Sequence, residues 1–283
     1  MSRFRESAMK VVFLFAACVS VAAVALICVF LFANGVPALA KIGVFRFLFG
    51  TEWRPENDVY GIFPMIVGSI YVTAGALIVG VPTGILTAVF MAKFCPGWLY
   101  RIMKPAVNLL AGIPSVVYGF FGLVVLVPFV RETFGGRGLS VLTASLLLGL
   151  MILPTIISVS ESALRAVPQS YYEGSLALGA THERSIFFVV LPAAKSGIFA
   201  GVILGVGRAV GETMAVMMVA GNQTLIPSSL TDGVRTLTAN IALEMGYSTG
   251  LHREALIATA VVLFVFILII NLSFSLMKRR EKK

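Results

Sequence analysis

Six apolar runs, each long enough to cross a bilayer as a helix, leave this chain little choice of fold. A crossing takes about 20 helical residues, and the runs lie near residues 11–33, 62–92, 106–130, 139–160, 197–220 and 255–277. Hydrophobic residues make up 58% of the sequence and charged ones 12%, against the ~45–50% and ~25% of a soluble domain. The expected fold class is an all-α integral membrane protein. It is one transmembrane domain over residues 1–283, with six spanning helices and a structured cytoplasmic loop, about 161–195, between the fourth and fifth. In the second run, Pro82 between Gly80 and Gly84 predicts a bend. The third is expected to start after Pro105, a good first-turn residue, and to carry Pro114 inside it. The first run has Arg3, Arg5 and Lys10 before it and Ala38-Leu39-Ala40 behind it, as a secretory signal would. Its apolar core exceeds the ~7–15 residues of such signals, so a retained helix is expected.

The net charge of +9 does not point to nucleic acid, because the basic residues sit mostly in short segments flanking apolar runs. One side collects fourteen Lys and Arg: the N-terminus, Lys93, Arg101, Lys104, Arg165, Arg184, Lys195 and the tail from Lys278 to Lys283. The other side has seven: Lys41, Arg46, Arg54, Arg131, Arg137, Arg235 and Arg253. The positive-inside rule then puts both termini in the cytoplasm, with 34–61 and 221–254 facing outward. No clear internal repeat of the secondary-transporter kind is visible. Cys18, Cys28 and Cys95 form no CxxC pattern, which argues against a disulfide framework or a metal site. His182 and His252 fall in loops on opposite sides of the membrane. They are expected to be solvated and share no metal.

The run 197–219, GIFAGVILGVGRAVGETMAVMMV, carries two charges, Arg208 and Glu212. A lone charge at the centre of a membrane helix costs about 2.5–3.5 kcal/mol on insertion scales. One reading is a structural ion pair between helix neighbours four apart. The other is a face lining the route of a charged solute. On one continuous helix, with Arg208 at zero, Glu212 falls near ~+40°, Gly197 near ~−20°, Gly201 near ~+20° and Gly205 near ~+60°. Such a glycine stripe lets another helix approach closely. That neighbour is either part of the same chain or a second membrane subunit at a central seam, where Arg208 and Glu212 would face the solute path. Gly205, Gly207 and Gly211 miss the GxGxxG spacing, and no GxxxxGK[ST] loop is present, so this chain is not expected to bind a nucleotide.

The loop Glu161–Lys195 is patterned. Ser170-Tyr171-Tyr172-Glu173 fits a capping box, predicting a short helix to Leu178 that stops at Gly179. Thr181 then caps a second short helix with Ile186, Phe187 and Phe188, and Pro192 closes the segment before the fifth span. An amphipathic hairpin lying on lipid would share this pattern. Glu173-Gly174-Ser175, Gly179 and Val189-x-Leu191-Pro192 resemble the EAA motif of ATP-binding-cassette importer permeases. The departures are at Gly174, Ser175 and Val189, and the spacing is intact. In that family this loop is a coupling helix that docks in a cleft of a cytoplasmic ATPase. The resemblance gives that role to Glu173, Gly179, Leu191 and Pro192.

Three further stretches narrow the resemblance. Phe49–Pro55 with Tyr60–Pro64 looks like the PstC type of phosphate-importer permease rather than its PstA-like partner. Ala111–Gly119 is similar to a segment both types share, and Gly207–Ala215 is the strongest match. The resemblance implies a permease subunit, not an enzyme, in the bacterial inner membrane. It further implies pairing with a PstA-like permease, two copies of a cytoplasmic ATPase that binds the ATP, and a phosphate-binding protein outside. No cofactor of its own is implied. Arg208 suits phosphate through its planar fork of donors. Glu212 could accept a hydrogen bond from a protonated phosphate ion and repel sulfate, which has no proton to share near neutral pH, or lock onto Arg208 as a gate when the path is empty. A sulfate- or molybdate-type permease is the alternative in the same class, and a non-ABC secondary transporter the alternative outside it. In the outward loop, Gly233–Gly246 predicts a short helix with Val234, Leu237 and Ile241 on one face. That helix would either dock the binding protein or plug the outer mouth by packing on its own chain.

Overall fold

The computed structural model describes residues 2–280, with side chains described over 9–273. Among these residues six helices are long and apolar enough to span: Met9–Ile42, Phe63–Phe94, Ser115–Phe134, Val141–Arg165, His182–Gly211 and Gly250–Ser273. The protein is an all-α integral membrane protein.

The first helix, α1 (Ser2–Ile42), leaves most of its apolar side chains exposed, from Val11 to Val29, as a helix facing lipid would. Its neighbour is the last helix (Gly250–Arg280), met through Gly35 against Val261 and Ala258 and through an edge-on Phe32–Phe264 contact. A turn follows at Gly43, then α2 (Val44–Phe49) and a two-stranded hairpin, β1 (Trp53–Arg54) with β2 (Val59–Tyr60), pairing Trp53 with Tyr60. Next comes α3 (Phe63–Val89), which passes through Pro82 without ending.

The third span starts later than the proline at 105 suggested. A separate helix, α4 (Gly97–Gly112), ends where Ile113 and Pro114 turn extended. A proline disfavours helical geometry at the residue before it, so Pro114 ends one helix and opens the next. That next helix is α5 (Ser115–Phe121), joined by a π turn to α6 (Val127–Phe134). There are π turns at 90–94, 122–126 and 186–190, and each stops two residues short of a proline: Pro96, Pro128 and Pro192. In each, the residue before the proline (Cys95, Val127 or Leu191) donates its N–H five residues back. Proline lacks an N–H and its ring presses on the carbonyl four residues back. A widened turn relieves both effects while the chain stays helical.

Helix α7 (Val141–Arg165) is the centre of the bundle, and glycines on both neighbours let it approach closely. From α3, Gly75 lies on Ser145, Gly80 on Ile152 and Gly84 on Ile156. On the far side, Gly197 lies on Ala163, Gly201 on Val159 and Ser160, and Gly205 on Ile156. The glycine stripe of the fifth span therefore packs on α7 of the same chain. Of the two neighbours open for these glycines, the one within the chain fills the face: periodicity locates a packing face but does not say which helix fills it.

Beyond α7 come α8 (Gln169–Ala177), α9 (His182–Ser185) and, through the third π turn, α10 (Leu191–Gly211). The fifth span thus begins near His182, ahead of Pro192, and ends at Gly211 rather than 220. After a break, α11 (Met214–Val219) follows.

At the α11 end of the bundle, the predicted Gly233–Gly246 helix is confined to α12 (Leu237–Glu244). Thr236 caps it, its hydroxyl accepting from Ala239 N at 3.2 Å, while Val234 is held extended in a bridge with Gly221. Leu237, Thr238 and Ala239 are buried against the chain itself. The last helix, α13 (Gly250–Arg280), starts beside it.

Glu244, nearly fully buried, gathers three donors: Arg235 at 2.5 Å, Trp53 Nε1 at 2.8 Å and His252 Nε2 at 2.8 Å. His252 is packed among the rings of Trp53, Tyr60 and Tyr247. The solvated loop histidine expected there is corrected, because the Trp53–Tyr60 hairpin, distant in the chain, and Glu244 and Tyr247 just before it pack around its ring. Burial, then a hydrogen bond to Asp58, pushes the Tyr60 phenol up to about 12, so it remains a donor at any physiological pH. Removing one partner of a buried ion pair strands the other charge. Glu244→Ala is therefore expected to cost about 3–5 kcal/mol, read as earlier thermal unfolding of the detergent-solubilised protein. An unchanged midpoint would show the cluster to be neutral.

Candidate functional site

Two helix breaks meet in this fold, and both fall in stretches singled out from the sequence. One is Gly112-Ile113-Pro114, between α4 and α5; the other is Gly211-Glu212-Thr213, between α10 and α11. Helices α5 and α11 pack together where Gly119 admits Ala215 and Met218, and where Gly122 admits Val219. The Tyr118 hydroxyl donates back to Leu110 O at 2.9 Å, bracing the first break. Arg208 lies half-buried in the last turn of α10. A cation at a helix C-terminus is favoured by the helix dipole.

The second break is built by specific contacts. Glu212 is extended (φ −71°, ψ 127°), and its Oε1 accepts from Ala215 N at 3.2 Å, capping α11. Its carbonyl accepts from Thr238 Oγ1 at 3.1 Å. At the far end of α11, Asn222 Nδ2 donates to Met217 O at 2.7 Å. Because α10 ends at Gly211, Glu212 is not a helical neighbour of Arg208, and no ion pair joins them among the described residues. The continuous helix expected through 220 is corrected, and with it the four-apart ion pair and the single stripe holding both charges.

The 16 helical steps from Lys195 to Gly211 rise roughly 24 Å, so the break lies at membrane depth. Non-helical backbone is tolerated there only where protein buries it or where it lines a water-filled cavity, and broken helices mark the solute sites of many transporters. Gly207 and Gly211 have nothing within 4 Å of where a side chain would begin, so this side of α10 is open. Arg208, with five N–H donors, can hold an oxyanion there. Tyr118 and Thr238 were missed by sequence reasoning. The Gly-Ile-Pro run could have flagged the first break, but nothing local marks Thr238.

At the other end of the bundle, Glu173 and Gly179 lie on the α8–α9 module, with Leu191 and Pro192 at the start of α10. The Ser170 capping box does not form: the helix cap falls two residues earlier, at Pro168, so Ser170 lies inside the helix. Gly179 takes φ +83°, its N–H donating to Leu176 O at 2.9 Å, and Ala180 N reaches Ser175 O at 3.1 Å. This left-handed stop is easy for glycine alone. Thr181 caps α9 by accepting from Arg184 N at 3.3 Å. Tyr172 and His182 join the two short helices through a 2.7 Å hydrogen bond, and Phe94 stacks edge-on against the same imidazole. His182 is therefore part of the module's packing rather than a solvated loop residue. The module leaves Tyr171, Glu173 and Leu178 exposed, Leu178 at 92%. Apolar and acidic groups held out on a folded turn suit a docking surface.

Residues 80–283 match the family model described as binding-protein-dependent transport system inner membrane component. The chain is 41% identical to a probable ABC transporter permease, YqgH of Bacillus subtilis, over 90% of this chain and 86% of that protein. It is 35% identical to the phosphate transport system permease PstC of Pasteurella multocida, over 84% of this chain and 81% of that one. It is 37% identical to PstC of Mesorhizobium japonicum, over 85% and 80%. In fold it resembles the inward-facing MetNI methionine ABC transporter (TM-score 0.62, 22% identity, 81% of this chain and 99% of that one). It also resembles a bacterial ABC transporter for the import of alginate (TM-score 0.67, 16% identity, 99% and 100%).

Proposed function

The chain belongs to the family of binding-protein-dependent transport system inner membrane components, and from that premise we propose that it is the permease subunit of an ATP-driven importer of inorganic phosphate. It is a multi-pass inner-membrane transport subunit, not an enzyme. The observation that carries phosphate as the solute is identity of 35–37% to PstC permeases across at least four fifths of both chains. Arg208 beside the open break supports it, since a guanidinium matches phosphate geometry with paired donors.

In this reading the chain pairs with a PstA-like permease, and the open side of α10 with its break faces the path between them. Two copies of a cytoplasmic ATPase bind the ATP, and the α8–α9 module docks on one of them through Glu173 and its exposed apolar neighbours. A phosphate-binding protein delivers the solute from outside, and both termini lie in the cytoplasm. Vesicles holding all the subunits are expected to take up labelled phosphate only with ATP and the binding protein. Arsenate, which shares the proton chemistry of phosphate, should compete, and sulfate should not. Uptake abolished by excess sulfate would replace phosphate by another oxyanion.

A further inference from the structure

Helix α4 touches the rest of the fold along one stripe. Tyr100, Met103, Lys104 and Val107 stand at the i, i+3, i+4, i+7 spacing of a single helix face. Met103 and Val107 sit with Met91, Leu153 and Ile157 in a small apolar cluster. Tyr100 and Lys104 meet Glu161 of α7, which is 1% exposed. Lys104 Nζ donates to Oε2 at 2.7 Å, the Tyr100 hydroxyl to Oε1 at 2.7 Å, and Arg165 Nε to Oε1 at 2.8 Å. Arg165 also donates to Met91 O at 3.1 Å and lies over the Tyr100 ring, 4.6 Å from its centroid. Elsewhere α4 is open, with Ile102 and Leu109 exposed.

The position of this cluster gives it a consequence. Helix α7 ends at Arg165, and only Ala166, Val167 and Pro168 separate it from α8. At its other end α4 runs into the Pro114 break, Tyr118 of α5 bonds back to Leu110, and α5 packs on α11. One connected path of packed and hydrogen-bonded groups therefore runs from the α8 module to the break beside Arg208. A buried carboxylate with partners on two helices fixes their relative position, because separating them would strand the charge.

We infer that Tyr100, Lys104, Glu161 and Arg165 form a strut that makes α4 move as one body with the end of α7, so that displacement of α8 by the ATPase repositions α5 at the solute path. These are positioning residues, and the inference rests on the importer reading above. The test uses the whole complex in proteoliposomes and counts phosphate moved per ATP hydrolysed. Glu161→Gln keeps the shape and removes the charge shared by Lys104 and Arg165. It is expected to lower the ratio roughly tenfold, the size of a strong interaction between coupled sites, while assembly and ATP hydrolysis stay at wild-type levels. Lys104→Met added to Glu161→Gln should lower the ratio no further, since both act through one contact. A wild-type ratio in Glu161→Gln overturns the inference. If that variant does not assemble, Tyr100→Phe carries the test: loss of one hydrogen bond should lower the ratio about twofold or more, and an unchanged ratio overturns the strut. Wild-type complex that hydrolyses ATP yet moves no phosphate would instead remove the proposed function.

Discussion

Arg208→Gln is expected to abolish ATP-driven phosphate uptake while leaving the protein in the membrane at normal levels. Losing one charged partner of a desolvated, hydrogen-bonded contact costs about 2–5 kcal/mol, which is at least a thirtyfold loss. The amide is cheaper to bury than an unpaired charge, so folding should not suffer. Glu212→Gln separates two jobs that the structure gives to this residue. Its side-chain oxygen caps α11 through Ala215 N, and glutamine retains that acceptor. Only the negative charge is lost. If that charge repels fully ionised anions, the variant should lose phosphate uptake and admit sulfate. Full phosphate uptake with unchanged exclusion of sulfate would leave Glu212 as a cap alone. The double change to glutamine should not restore uptake, because Arg208 and Glu212 are not each other's partner across the break. Recovery in the double variant would restore the ion-pair reading.

Gly179→Pro is expected to eliminate uptake from the opposite end of the molecule. Proline holds φ near −65°, whereas residue 179 sits at +83°. It also removes the N–H that bonds Leu176 O, and it disfavours the near-helical conformation of Leu178 (φ −83°, ψ 7°) before it. The stop between α8 and α9 cannot form, so Glu173 and Leu178 lose the placement that presents them. Gly179→Ala meets only the left-handed strain of about 1–2 kcal/mol and should lower uptake partly. Glu173→Lys leaves the fold alone, since the residue is exposed, yet reverses the charge offered to the ATPase. Co-purification of the ATPase with each variant is the direct measurement. Wild-type uptake and normal association in both Gly179→Pro and Glu173→Lys would remove this module from coupling.

The sequence by itself determined the features that depend on local chemistry. Twenty-residue apolar runs must span whatever surrounds them, which is why each of the six spans overlaps most of the run where composition puts it. Gly179 and Thr181 were legible because a left-handed stop and a hydroxyl cap involve only residues a few positions away. The tertiary structure decided whatever depends on a distant partner. The seam glycines 197, 201 and 205 showed a face, but only packing could assign that face to α7. The break at Glu212 is pinned by Thr238, 26 residues away in the chain, so helical periodicity ran straight through it. Glu161 and Glu244 carry no local signal of burial. They are buried because Tyr100, Lys104, Trp53 and Arg235 arrive from other segments, and a charge can be buried only where the fold delivers its partners.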